Sequence, residues 1–376
     1  MKVKRVFKIF FKGILIAVSA ILSLILVFLL IIRFNSKGVE EPFLDENGNV
    51  LPNSIAMHED KVINGAPQRL TIRGKDINNP VLLRVHGGPG YPFIPAGHKS
   101  MGVDLEDLFT VCYWDQRGAG PAYNPEIPDS TLTLSQIVDD GLEVADYLKR
   151  KFKKDKIYIE GVSWGTTVSA FMVQKNPELF YAYIGIGQMA NQALSEQMSW
   201  DFAMEESREN NDSISIRQLL EIGRPPYPDK TNAEMAEACD IERLVVDKYV
   251  PMNPPVDNAM IKLVKKVLLY NGFSLKNKLN MIFNYDAMIE PAYTILWPTC
   301  FNVNLIRDVP EWKIPVFIVQ GENDHHTETS LAKAYFDSIQ APSKRWYLFE
   351  GSGHGANIEQ PERYRSIIIN DVLNQH

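Results

Sequence analysis

The sequence IYIEGVSWG, residues 157–165, decides the fold. Residues 157–160 are typical of a buried strand, and a segment of helical character follows up to about Pro177. A Gly-x-Ser-x-Gly motif is weak evidence alone, but between a buried strand and a helix it indicates a strained turn that exposes the serine hydroxyl. The glycines let strand and helix pass without Cβ clashes. We therefore interpret Ser163 as a candidate nucleophile, with a chance match in a loop as the alternative.

Strand-like runs alternate with helical segments along much of the chain. Residues 81–85 and 109–114 are almost continuously apolar, as expected of strands buried on both faces. Ser135 can cap a helix that runs to about Lys151. Further strands are predicted at residues 69–73, 183–187, 314–320 and 345–349. This alternation predicts an α/β fold with a mostly parallel sheet flanked by helices.

The middle of the chain has a different character. Residues 189–310 contain little strand signal, and two proline clusters, at 225–228 and 251–255, divide them. Apolar residues at helical spacing form one stripe: Met260, Leu263, Val264, Val267 and Leu268. We predict a helical cap over residues 189–310, inserted between two parts of the core at 61–188 and 311–376.

The N-terminus differs in charge from the rest of the chain. Residues 1–37 hold seven basic residues and no acidic one, whereas the remainder holds 32 basic and 46 acidic residues. Within this leader, Gly13–Ile32 is a stretch of 20 residues without a charge. As a helix it would span about 30 Å, the thickness of a hydrocarbon core. We predict a transmembrane anchor within residues 1–37, followed by a tether and first strand at 38–60.

This charge distribution also predicts a topology. Basic residues dominate before the apolar stretch, so the positive-inside bias places the N-terminus in the cytoplasm and the catalytic body outside the cell membrane. A cleaved signal peptide is the alternative, but its apolar region is usually only about 7–15 residues long. Residues 34–38, FNSKG, are also a poor cleavage site. We therefore expect an uncleaved, single-pass anchor.

The composition argues against several classes of protein. Hydrophobic residues make up 45% and charged residues 23%, which are ordinary globular values and argue against disorder. Cys112, Cys239 and Cys300 are too few for a disulfide framework and lack metal-cluster spacing. An acidic body without Lys/Arg runs argues against nucleic acid as a partner. The oligomeric state stays open.

A serine nucleophile needs a base and a group that orients this base. Asp324 lies four residues past Gln320, in the loop after a predicted strand, and His354 lies in GSGHG, residues 351–355. Both follow strands at their carboxyl ends, where open α/β sheets build their sites. We expect His354 to take the proton from Ser163 and Asp324 to hold the imidazole.

Other residues compete for these roles. Glu322 could replace Asp324, although its spacing from the strand is less suitable. Asp324, His325 and His326 can also be interpreted as a metal site, but consecutive loop residues seldom point at one ion, so we expect no metal. The remaining histidines are interpreted as structural or solvated: His58, His86, His98 and His376.

A glycine-rich loop supplies the third part of the predicted site. HGGPG, residues 86–90, follows the strand 81–85. Backbone N–H groups in such a loop and directly after the nucleophile can stabilise a developing oxyanion. We therefore expect the N–H groups of Gly88 and Trp164 to form the oxyanion hole. A phosphate loop is the alternative, but the Lys-Ser/Thr of such loops is missing.

Together these motifs resemble the proline-iminopeptidase-like branch of the α/β-hydrolases. The resemblance is carried by HGGPG at 86–90, WDQRGAG at 114–120, GVSWG at 161–165, and the late Asp324 and His354. The chain order Ser, Asp, His is also that of α/β-hydrolases. The resemblance implies an α/β-hydrolase core with a helical cap, and neither a metal nor an organic cofactor.

The sequence also departs from this branch. Segment 114–120 lacks the serine that usually follows it in the family, and we expect Asp115 and Arg117 to shape this loop by an ion pair. Family aminopeptidases hold the substrate's free α-amino group with cap glutamates, which do not align here. Glu205 and Glu206 are candidates for this substrate-binding role, with an ordinary solvated pair as the alternative.

These features predict a membrane-anchored serine hydrolase that acts on a peptide or small molecule through an acyl-enzyme. The resemblance favours a proline-iminopeptidase-like aminopeptidase. An esterase or lipase-type enzyme would use the same triad. A non-catalytic binding module tethered to the membrane is the third alternative, because fold alone does not settle function.

Overall fold

An eight-stranded sheet forms the centre of the computed structural model, which describes residues 2–92, 104–250 and 267–374. The strands are β1 (Ile55–Ile63), β2 (Ala66–Gly74), β3 (Val81–Val85), β4 (Thr110–Asp115), β5 (Ile157–Val162), β6 (Phe180–Ile186), β7 (Val316–Gly321) and β8 (Lys344–Phe349). Their order in the sheet is β1-β2-β4-β3-β5-β6-β7-β8. β2 is antiparallel to both neighbours, and the pairs from β4 to β8 are parallel. The predicted α/β fold with a mostly parallel sheet is confirmed.

Helices cover both faces of this sheet. In chain order they are α1 (Lys2–Phe34), α2 (Leu134–Phe152), α3 (Trp164–Lys175), α4 (Gln192–Glu209), α5 (Ser213–Ile222), α6 (Asn232–Tyr249), α7 (Leu275–Phe283), α8 (Tyr285–Cys300), α9 (Leu305–Asp308), α10 (Thr329–Ser338), α11 (Ala356–Glu359) and α12 (Pro361–Ile367). α2, α3 and α10 pack on one face, and α11 and α12 pack on the other. β3, β4 and β7 are therefore buried throughout, as their apolar runs predicted. Thr133 caps α2, not Ser135, because the Thr133 hydroxyl accepts the Gln136 N–H.

The described part of residues 189–310 is mainly helical, and α4 to α9 lie between β6 and β7. α6 packs against α4, α5 and α8. Of the predicted stripe, Val267 and Leu268 are helical, whereas Met260, Leu263 and Val264 lie outside the described residues. The prolines at 251, 254 and 255, together with His98 and His376, also lie outside them.

The N-terminal helix α1 is exposed over most of residues 10–34. Its part Phe10–Phe34 has a mean hydropathy of 3.2 and no buried residues in its most apolar window. This helix is long and apolar enough to cross a membrane, a property that it shares with signal sequences.

Candidate active site

Ser163 lies on a sharp turn between β5 and α3. Its backbone has φ 54° and ψ −121°, a conformation that non-glycine residues rarely adopt. A Cβ at Gly161 would lie 2.5 Å from the Gly165 carbonyl oxygen, and a Cβ at Gly165 would lie 2.1 Å from the Val85 carbonyl oxygen. Both glycines are therefore required for the close crossing of strand and helix that the motif predicted.

The loop HGGPG lies directly against this serine. A Cβ at Gly87 would lie 3.1 Å from the Ser163 Cβ, so the absence of a side chain allows the contact. Gly88 has φ +113° and lines the same cavity as Ser163. Trp164 is the first residue of α3, where backbone N–H groups have no partner within the helix. The structure thus brings both predicted oxyanion residues next to the candidate nucleophile.

A buried network joins HGGPG to the second family motif. The Gln116 N–H donates to His86 Nε2 at 3.2 Å, and the Gln116 side-chain amide donates to the His86 carbonyl at 3.1 Å. The Trp164 indole N–H donates to Gln116 Oε1 at 3.2 Å. Burial lowers the pKa of His86 to about 4, which keeps its ring neutral. His86 is therefore structural, and Gln116 holds the glycine loop to the start of α3.

The prediction of an ion pair between Asp115 and Arg117 is wrong. Arg117 instead binds Asp140 of α2, with Nε–Oδ2 and Nη2–Oδ1 distances of 2.8 and 3.0 Å. Asp115 is buried, and burial raises its pKa well above the usual value. The guanidinium thus fixes the loop after β4 to α2, a partner that adjacency in sequence did not indicate.

Asp324 and His354 meet as predicted. His354 Nδ1 lies 3.0 and 2.9 Å from the two carboxylate oxygens of Asp324. Burial acts to raise the pKa of the Asp324 carboxyl, but the charge and hydrogen bond of His354 outweigh it and lower that pKa to about 2. Glu322 instead accepts the Gly351 N–H at 2.9 Å. The structure therefore brings Asp324, and not Glu322, to the imidazole.

Gly187, the residue directly after β6, packs against both His354 and Asp324. It has φ +57°, and a Cβ there would lie 2.9 Å from His354 Cε1 and 3.5 Å from Asp324 Oδ2. The His354 imidazole therefore packs directly against the backbone of Gly187, and this contact limits how far the ring can tilt.

One cavity of about 430 Å³ joins Ser163 and His354 to the helices after β6. Its charged lining residues are Asp240, Arg243 and Asp247, all on α6. Asp247 accepts a hydrogen bond from His326, at 2.8 Å between Oδ1 and Nε2. Burial acts to raise the pKa of Asp247, but the hydrogen bond with His326 contributes to a net lowering. The cavity thus presents an ionised carboxylate beside the candidate triad.

Arg243 is enclosed by two buried glutamates. Its guanidinium binds Glu196 of α4 and lies 3.2 Å from Glu242 Oε1. The second oxygen of each glutamate is buried without a hydrogen-bond partner. Burial and the neighbouring Glu196 raise the pKa of Glu242 to about 8, against the opposing charge of Arg243. A cation close to Glu242 would oppose this shift, because it would stabilise the ionised carboxylate.

The predicted substrate glutamates do not line this cavity. Glu205 is exposed and lines a separate depression whose described lining residues all lie on α4. Glu206 is half-buried, and its carboxylate accepts a hydrogen bond from Asn210 at 3.5 Å. This placement matches the solvated-pair alternative.

The two histidines after Asp324 turn to different partners. The His325 ring stacks on Phe202 with a centroid distance of 3.7 Å. The His326 ring binds Asp247 and lies 4.9 Å from the His354 ring, between centroids. These neighbours in the loop therefore do not converge on one point.

The charged wall of the cavity was not found from the sequence. Asp240, Arg243 and Asp247 recur every three or four residues, so they share one side of α6. That spacing could have indicated a charged cavity wall, but it is equally typical of a helix face exposed to solvent.

Comparison with known proteins gives consistent results. The α/β-hydrolase fold family model matches residues 80–361. A probable aminopeptidase of Bacillus subtilis (strain 168) is 29% identical over 84% of this chain and 96% of its own length. A proline iminopeptidase of Heyndrickxia coagulans is 24% identical over 78% of this chain and 90% of its own length. The crystal structure of a proline iminopeptidase-related protein from Thermus thermophilus superposes with a TM-score of 0.57, at 18% identity, over 84% of this chain and 96% of that one.

Proposed function

Because this chain belongs to the α/β-hydrolase family, we propose that it is a membrane-anchored serine hydrolase that acts as an aminopeptidase through an acyl-enzyme. Ser163 Oγ attacks the acyl carbon of the scissile bond, and His354 takes the hydroxyl proton. Asp324 holds the Nδ1–H of that imidazole and stabilises the imidazolium that forms. The short contact between Asp324 and His354 supports these roles.

The remaining steps use the same groups. The N–H groups of Gly88 and Trp164 stabilise the oxyanion of the tetrahedral intermediate. His354 gives its proton to the leaving amine, and water then hydrolyses the ester of Ser163 with His354 again as base. The close approach of Gly87 to Ser163 supports this assignment, because it brings the glycine loop to the reacting atom.

The charge of the cavity is the observation that favours an aminopeptidase substrate over an ester. Asp240 and Asp247 line it, and Arg243, which also lines it, is already paired with Glu196. A substrate with a free N-terminal ammonium would compensate this negative charge, whereas a neutral ester would bury the carboxylates without compensation. The names of the aminopeptidase and iminopeptidase relatives favour the same substrate class.

We propose the membrane topology on separate grounds. α1 would anchor the chain, with the basic residues that precede Gly13 on the cytoplasmic side and the catalytic domain outside. The helices within 189–310 would form the cap over core segments 61–188 and 311–376, with 38–60 as the connection to the anchor.

The test is covalent labelling combined with a substrate panel. Ser163→Ala should abolish labelling by a fluorophosphonate probe and lower kcat by about 10⁴-fold or more on proline and alanine anilides. Ser135→Ala, at an exposed serine, should retain both properties. Labelling that persists in Ser163→Ala would refute the nucleophile. Turnover of short acyl esters that exceeds turnover of the anilides would favour the esterase alternative.

A further inference from the structure

The residues between α1 and the sheet are held against the cap. The Lys278 ammonium of α7, whose side chain is fully buried, donates to the Asn35 carbonyl oxygen at 2.6 Å. The Gly38 N–H donates to the Asn271 carbonyl oxygen at 2.9 Å. The chain therefore leaves α1 bound to the segment that leads into α7, and not as a loose tether.

Glu40 strengthens the same junction. Its buried carboxylate accepts a hydrogen bond from Arg73 of β2 at 2.6 Å and another from the Tyr270 hydroxyl of the cap. A buried carboxylate without such partners would be strongly destabilising. The end of α1, strand β2 and the segment before α7 are thus joined through buried polar contacts.

The surface around this junction carries exposed apolar and basic side chains together with one exposed carboxylate, that of Glu41. We call the following exposed side chains the juxtamembrane face: Phe34, Lys37, Val39, Leu269, Lys276 and Phe283. Phe34 and Phe283 are exposed by 74% and 76%, and Val39 and Leu269 by 58% and 45%. Lys276 and Phe283 are seven residues apart and therefore share one side of α7.

We propose that the juxtamembrane face lies on the headgroup region of the bilayer that α1 crosses. Phe34 is the last residue of α1, so this face begins where the apolar helix ends. Exposed apolar side chains enter the interface while lysine side chains meet lipid phosphates, as in interfacial helices. The proposal rests on the membrane anchor of the proposed function and adds a second contact, made by the cap.

This contact reaches the active site through one helix. α8 follows α7 after a single residue and lies against the glycine loop, since a Cβ at Gly90 would lie 3.1 Å from the Ile289 carbonyl oxygen. Tyr293 and Trp297 of α8 line the cavity of Ser163. The lipid surface would therefore support the helix pair that forms one wall of this cavity.

Site-directed spin labelling of the full chain in phosphatidylglycerol–phosphatidylethanolamine nanodiscs tests the proposal. Phe283→Cys and Leu269→Cys carry the nitroxide, with Leu22→Cys in α1 as lipid reference and Leu220→Cys on α5, an exposed cap position, as water reference. The native cysteines are buried, and mock-labelled wild type corrects for background. Fluorophosphonate labelling of each variant reports the folded hydrolase independently of the membrane.

At positions 283 and 269 we expect loss of collisions with a water-soluble nickel chelate and a gain of collisions with oxygen, relative to position 220. Nickel collisions equal to those at position 220 would overturn the proposal while leaving the anchor intact. Low collisions with both reagents would indicate cover by protein, such as a second copy, and would also overturn it. Nickel access at position 22 would refute the anchor itself and the proposal with it.

Discussion

The sheet core and the proposed cap, the helices between β6 and β7, build their parts of the candidate site in opposite ways. In the core, close backbone contacts set the positions: Gly165 has no room for a Cβ, and Gly187 supports His354 directly. In the cap, side chains from separate helices converge, as Arg243 of α6 does with Glu196 of α4. Core changes should therefore act through geometry on the rate of bond cleavage, whereas cap changes should act through charge on binding.

The largest effect should come from the core side of this comparison. Gly187→Ala would place a methyl group 2.9 Å from His354 Cε1, and a displacement of about 1 Å in a catalytic group can cost about 10²-fold in rate. We expect kcat on an aminoacyl anilide to fall by about that factor with KM little changed. Steady-state kinetics measure the split.

A matched variant distinguishes the effect of the contact with His354 from the effect of backbone strain. Gly65 has φ +80°, and a Cβ there would meet no atom within 4 Å. Gly65→Ala should therefore carry only the strain of an L-residue at positive φ, about 1–2 kcal/mol of stability, with unchanged kcat. Equal loss of kcat in both variants would show that strain, and not the support of His354, explains the effect.

The core was predictable because its signals are local. Ser163, Asp324 and His354 each follow an apolar strand, and parallel strands bring their carboxyl ends to one edge of the sheet. The residues that were missed in the core, Gln116 and Asp140, act on loops through partners that are distant in sequence.

The cap was not predictable in the same detail. Glu196 and Arg243 are separated by 47 residues, and their contact depends on how α4 packs against α6. No periodicity specifies which side of an amphipathic helix faces a cavity when both sides carry charges. Glu205 and Glu206 were therefore chosen by residue type, while the carboxylates that line the cavity lie on another helix.

A substitution in the cap should have a smaller effect, and this effect should be on substrate binding. Asp247→Asn removes the ionised carboxylate of the cavity, and loss of a charged hydrogen-bond partner costs about 1.5–3 kcal/mol. KM for an alanine anilide should rise by about 10–100-fold with kcat little changed. The same anilide with an acylated amine should show no such rise, because it lacks the ammonium group.

Asp201→Asn provides the control, since Asp201 is an exposed cap aspartate that pairs with Arg224 outside the cavity. It should leave both KM values unchanged. A KM for the free-amine substrate that Asp247→Asn does not alter would exclude Asp247 as the ammonium partner and weaken the assignment of binding to the cap.

The effect expected on stability, and not on activity, concerns Glu242. Burial first, and then Glu196, raise the pKa of Glu242 to about 8, above its usual 4.5. Between these values the folded chain holds a proton that the unfolded chain has released, so stability falls as pH rises. Glu242→Gln cannot titrate. Thermal unfolding should therefore show wild type losing stability relative to this variant as pH rises from about 5 to about 8.

Glu237→Gln, at an exposed glutamate of α6, should show no such trend relative to wild type. A saturating amino acid amide gives a further distinction, because its ammonium group in the neighbouring cavity would favour ionised Glu242. The pH trend of wild type should then flatten. A trend that the amide leaves unchanged would mean that the buried glutamates only hold Arg243, and that the cap senses the substrate's amine through Asp240 and Asp247 alone.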